Sequence, residues 1–176
     1  MQTELTLSVG GLPPMSARGC IQELKAAPQG EFRRTVNGDL IFLGSTNHKY
    51  CTTIRCWDHA AIATDGLQIG ERVIVGCIQP LCQKVAPSED CATLSRDVVP
   101  GSVLIADERN QQFTAFKVEP SDSSSAEATT RVTFTDAHGV LFVFFRPRLA
   151  MRVVSFALTV DEWKGKSGWV LELEEI

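Results

Sequence analysis

Apolar residues in this chain recur at every second position over short runs, and hardly any stretch repeats them at helical spacing. Runs of this kind are the signature of strands with one face in a core and the other in water. The clearest is "EFRRTVNGDLIFLG", in which Asn37-Gly38 separates two such segments. Both residues tolerate positive φ, so the pair predicts a tight hairpin with a type I′ turn. Strands are also expected in "TELTLSV", "CIQELKAA", "KYCTTIRCW" and "ERVIVGCIQ", the last ended by Pro80, which has no backbone N–H to give to a ladder. "SVLIADERNQQFTAFKV" reads as a hairpin, and "RVTFTDAHGVLFVFF" as another that turns through 136–139. The close of the chain, "VSFALTVDEWKGKSGWVLELEEI", is a further hairpin around a polar, glycine-containing bend. The expected fold is all-β, an antiparallel β-sandwich or barrel of about ten strands. It forms a single β-rich domain over 1–176, with 86–101 and 118–130 as exposed irregular loops rich in Ser, Thr, Pro and acids.

With 44% hydrophobic residues, 176 residues suffice for a sizeable core. The 17 Lys and Arg against 21 Asp and Glu leave a net charge of −4, so no global positive field draws in a phosphate backbone, and nucleic acid is not expected as the main partner. "FRRT" and "FFRPRLAMR" do set five arginines near aromatics. Such arginines serve subunit contacts as readily as bases, pairing with carboxylates and stacking on rings. The N-terminus has neither the basic start nor the apolar run of a signal peptide, and "GVLFVFF" is cut short by Arg146 and Pro147, so neither export nor membrane insertion is expected.

Six cysteines invite three chemistries. Cys51 with Cys56 and Cys77 with Cys82 form two C-x4-C pairs near His48, His59 and Cys91, which could supply zinc ligands. Both pairs lie on extended segments, however, and on a strand Cys51 and Cys56 have opposite parity and face opposite sides of the sheet. No metal or cofactor is expected. Thiols packed as small hydrophobes account for the cysteines better. Cys91, in a loop, is a candidate for a disulfide with Cys82 or with a neighbouring subunit, and Cys51, Cys56 and Cys77 are the other thiol positions of interest.

Cysteine-hydrolase chemistry needs a thiolate beside a histidine base, and no local signature selects a pair, although His59 is the best-placed histidine. Paired acids occur as Asp161-Glu162 and as Glu172, Glu174 and Glu175. "LELEE" alternates Leu inward and Glu outward, as a solvated strand face does, rather than aiming two carboxyls across a cleft. No P-loop or G-x-G-x-x-G occurs. No catalytic residue is assigned.

"RRTVNGDLIFLG", "KYCTTIRCWD", "DGLQIGERVIVGCIQPL" and "FFRPRLAMRVVSFALTVDEWKGKSGWVLELEEI" together resemble small virion-associated proteins encoded among the structural genes of tailed bacteriophages. The resemblance covers 32–82 and 140–176, about half the chain. It implies a non-enzymatic structural subunit in a tail, baseplate, connector or fibre-anchoring position, made in the host cytoplasm and located in the virion. The implied partners are copies of itself and other virion proteins. A host-surface-binding β-module, a capsid decoration protein and a cysteine- or zinc-dependent hydrolase are the alternatives. Trp163, Trp169, Arg146 and Arg148 are the candidate core or interface anchors, with Trp169 expected in the core because it falls in register with Leu171 and Leu173.

Overall fold

The computed structural model describes residues 3–27, 30–44, 48–86, 90–120, 130–134 and 139–176. Among them are sixteen strands and no helix: β1 (Thr6–Leu7), β2 (Ile21–Ala26), β3 (Gly30–Arg34), β4 (Leu40–Gly44), β5 (Tyr50–Asp58) and β6 (Arg72–Gly76). Then follow β7 (Leu81–Val85), β8 (Cys91–Leu94), β9 (Asp97–Val98), β10 (Leu104–Asp107) and β11 (Gln112–Phe113). The last are β12 (Phe116–Pro120), β13 (Thr130–Phe134), β14 (Leu141–Phe145), β15 (Pro147–Asp161) and β16 (Lys166–Glu175). The strand pairs with a defined register, from β1–β6 to β3–β4, are antiparallel, and the fold is all-β as the alternation requires. The strand number exceeds the expected ten because two-residue pairings such as β1, β9 and β11 leave no periodicity to read.

Where the sequence suggests one domain, chain contacts divide into two compact units. One comprises Val9–Val73 and Ala150–Ile176, and the other comprises Ile74–Leu149 with the segment ending at Ser8.

In the first unit β5 lies between β2 and β16, and β16 in turn pairs with β15. Alternation along β5 buries Thr52, Ile54, Cys56 and Asp58 and turns Arg55 and Trp57 outward. Trp169, Leu171 and Leu173 of β16 and Met151 and Val153 of β15 are buried. Gly168 faces Trp57 across the ladder, and a Cβ there would meet the indole at 2.8 Å, which is why "SGW" carries glycine at the point where the ring lies over the backbone. β15 bulges between Val153 and Ser155.

The second unit contains a sandwich. The sheet β11-β10-β14-β7 and the sheet β12-β13-β8 contribute to one apolar cluster that includes Val85, Leu94, Ile105, Val132, Val143 and Phe145. Of the expected irregular loop over 86–101, residues 87–89 lie outside the described residues, and the rest is not the irregular segment that its Pro, Ser and Asp content suggests. It holds β8 and β9, and Ala92, Leu94 and Val98 are buried in the cluster. At the second expected loop, β12 runs to Pro120 and β13 starts at Thr130, and 121–129 lie outside the described residues.

Two hairpin expectations change in detail. "RVTFTDAHGVLFVFF" is not a hairpin, because β13 and β14 belong to different sheets. The expected turn over 136–139 falls on 135–138, which lie outside the described residues, and on Gly139, which has φ 93°. Asn37-Gly38 does sit in a hairpin between β3 and β4, but Gly38 N donates to Thr35 O and only Gly38 takes positive φ. That is a three-residue loop over 36–38, a type I turn closed by a left-handed glycine, in place of the type I′ turn.

Candidate functional site

The β3–β4 hairpin is a two-stranded sheet, paired to itself alone among the described strands. Its register sets Phe32 opposite Phe42 and Arg34 opposite Leu40 on one face, with Glu31 opposite Leu43 and Arg33 opposite Ile41 on the other. The two phenyl rings sit 5.1 Å apart at 52°. All ten strand residues are exposed, and Phe32, Leu40, Ile41, Phe42 and Leu43 show between 40 and 68% of their surface to solvent. Isolated two-stranded hairpins are marginal in water, and a contiguous apolar surface of this kind marks a contact site. The charges are held locally, Arg33 on Glu31 at 2.6 Å and Arg34 Nη1 on Gly38 O at 2.9 Å, which leaves the apolar side chains as the available surface.

The terminal hairpin extends the theme. Ten residue pairs join β15 and β16, from Met151–Glu175 to Asp161–Lys166. Beyond the bulge, Leu158 and Val160 are exposed, and Trp163 in the turn is 99% exposed. Trp169 is 1% exposed, and its Nε1–H donates to Ser16 O at 2.7 Å. The two tryptophans therefore have separate roles, Trp169 in the core and Trp163 on the surface. Glu172 and Glu174 of "LELEE" face outward, Glu172 accepting from Ser155 Oγ at 2.9 Å. Glu175 is half-buried and accepts from Tyr50 N at 2.8 Å, so it anchors the start of β5 instead of being merely solvated.

Arg146 and Arg148 bracket the start of β15 in the second unit. Arg146 Nη1 meets Glu4 Oε2 at 2.6 Å with 19% of its side chain exposed, and Arg148 Nη1 lies 3.6 Å from Asp97 Oδ2. Both hold this chain's own acids.

None of the six cysteines is joined in a disulfide. Cys56 and Cys77 are buried, as packed thiols are expected to be, whereas Cys20, Cys51 and Cys91 are only partly buried and Cys82 faces solvent. Cys51 and Cys56 do face opposite sides of β5. Cys82 and Cys91 lie on β7 and β8 in different sheets, and Cys91 Sγ accepts from Arg131 Nη2 at 3.3 Å. No group of three or more His, Cys, Asp or Glu side chains among the described residues is placed to hold a metal ion. No helix among them is long and apolar enough to cross a membrane.

One ionic arrangement escaped the sequence reading. Arg18 Nη2 meets Asp58 Oδ1 at 2.7 Å, and the backbone N–H groups of Arg18 and His59 also donate to that carboxylate, which is 4% exposed. The Arg18 side-chain bond, helped by those N–H groups, holds the Asp58 carboxyl well below the usual range. The two residues are forty positions apart, and only the β2–β5 register brings them together. A carboxyl with a lowered folded-state pKa contributes stability above the ordinary value of about 3.9 and loses it as pH falls through the lower folded value. Urea midpoints should therefore separate wild type from Asp58→Asn at neutral pH and converge from about pH 5 down towards pH 2. A gap that does not change with pH would show that the carboxylate charge is irrelevant.

Comparison of the chain with protein-family models, with curated proteins and with solved structures finds no match.

Proposed function

We propose that this protein is a non-enzymatic structural subunit of a tailed-bacteriophage virion, in its tail, baseplate, connector or fibre-anchoring region, which assembles through exposed β-surface. The observation that carries the reading is the β3–β4 hairpin, whose apolar side chains are exposed on both faces. Leaving five large apolar side chains in water is unfavourable at roughly 25 cal/mol per Å² of apolar surface, and burial against a partner recovers that energy. One face carries Glu31 and Arg33 beside Leu43 and Ile41, both charge signs next to apolar groups, so it is complementary to its own two-fold copy. The same hairpin from Phe32 onward and the exposed Trp163 lie within the segments that resemble tailed-phage virion proteins.

The test is the composition of purified particles. Mass spectrometry of density-purified phage is expected to find this chain in stoichiometric amount with other virion proteins. Recovery only from the soluble lysate, with particles free of it, would overturn the assignment.

A further inference from the structure

We propose that Cys20 and Cys56 form a redox-active dithiol that low-molecular-weight disulfides convert to a cross-strand disulfide. The register of β2 against β5 pairs Ile21 with Arg55 and Gln22 with Ile54, so one step beyond the end of β2 sets Cys20 opposite Cys56. Ala27 N donates to Lys49 O in the same ladder. This makes the odd-numbered β2 positions hydrogen-bonded pairs and the even-numbered ones non-hydrogen-bonded pairs. Cys20 and Cys56 thus occupy the closer kind of pair, with Cα atoms about 4.5 Å apart, inside the span that a disulfide bridges. Parity sets both on the face that buries Gln22, Thr52 and Ile54.

The local hydrogen bonds agree with this placement. Cys20 Sγ donates to Ala17 O at 3.1 Å and Cys56 Sγ to Arg18 O at 3.5 Å, so both thiols rest on the same turn. They are also within hydrogen-bond reach of one another. The other four cysteines have different cross-strand neighbours where the ladders define them: Cys51 faces Lys25 and Glu174, Cys82 faces Phe144, and Cys91 faces Thr133.

Exposure assigns the roles. Cys20 is partly exposed and meets the reagent first, whereas Cys56 is buried, and burial raises its thiol pKa. The Cys20 thiolate attacks one sulfur of a small disulfide RS–SR, forming Cys20–S–SR and expelling RS⁻, which takes up the proton that Cys20 lost. Cys56 sulfur then attacks the Cys20 sulfur, forming the protein disulfide and breaking the bond to SR. The second RS⁻ leaves with the proton from Cys56. The protein loses two electrons, and RS–SR is reduced to two RSH. The closed loop spans 20–56 and contains the entire β3–β4 hairpin, and the bond joins β2 to β5 at the end of their ladder opposite the Ala26–Tyr50 pair from which that hairpin departs.

The test treats the folded protein with oxidised glutathione and maps its cysteines by alkylation and peptide mass spectrometry. The expected product is a peptide joined through Cys20 and Cys56, with a melting temperature raised on the order of 10 °C and returned by reductant. Cys56→Ala is expected to stop at a glutathione adduct on Cys20, and Cys51→Ser to behave as wild type. Full alkylation of both Cys20 and Cys56 after the treatment, a joined peptide through other cysteines, or no adduct on Cys20 in Cys56→Ala would each overturn the proposal.

Discussion

Replacing Trp169 with alanine should lower the unfolding free energy by about 4 kcal/mol, the loss typical of a buried tryptophan. The side chain is 1% exposed in the centre of β16, between Cys56 on β5 and Leu158 on β15. Truncation removes its packing and strips Ser16 O of the Nε1–H donor that ties the N-terminal segment to the sheet. Trp169→Phe separates the two contributions, since it keeps most of the apolar volume and loses the hydrogen bond, at a cost of about 1 kcal/mol. Trp163→Ala, at a fully exposed turn position, should change stability by less than about 0.5 kcal/mol. Chemical denaturation of the three variants checks the order, and an equal cost for Trp163→Ala and Trp169→Ala would contradict the burial of Trp169.

The double substitution Phe32→Asp with Phe42→Asp should weaken self-association by more than about 100-fold while leaving the melting of the fold almost unchanged. Truncating a contact's central aromatic side chains commonly costs 2 kcal/mol or more, and two adjacent carboxylates add repulsion across a two-fold contact. Neither ring is part of a core, because both are exposed, and they pair with each other. Sedimentation across a concentration series reads the association constant. A melting temperature that falls together with association would mean that the rings support the fold itself.

The alternation of apolar residues was enough to specify an all-β chain, because strand periodicity is a local property. It placed Trp169, Leu171 and Leu173 inward, Glu172 and Glu174 outward, and Cys51 and Cys56 on opposite faces of β5, all as found. Properties that depend on which strands meet were not legible. "RVTFTDAHGVLFVFF" has the pattern of a hairpin, but its halves enter different sheets, and nothing in a local pattern tells which sheet a strand will join. "CATLSRDVV" alternates over too few residues to stand out from the Pro, Ser and acidic residues around it.

The exposed hairpin had a signal that could have been used. Four consecutive apolar residues, 40–43, pair with a strand holding three charges, which fits neither an alternating strand nor a buried one. The Arg18–Asp58 ion pair and the Cys20–Cys56 neighbourhood depend on the register of β2 against β5, a long-range fact that no window of sequence carries.

The account rests on the β3–β4 hairpin being covered by a partner surface, and amide hydrogen exchange over 30–44 tests this directly. In an uncovered two-stranded hairpin these amides open freely, whereas burial against another copy slows them. The account predicts that their protection rises with protein concentration towards that of β5 and β16. Rapid exchange at every concentration, with β5 and β16 fully protected, would contradict it.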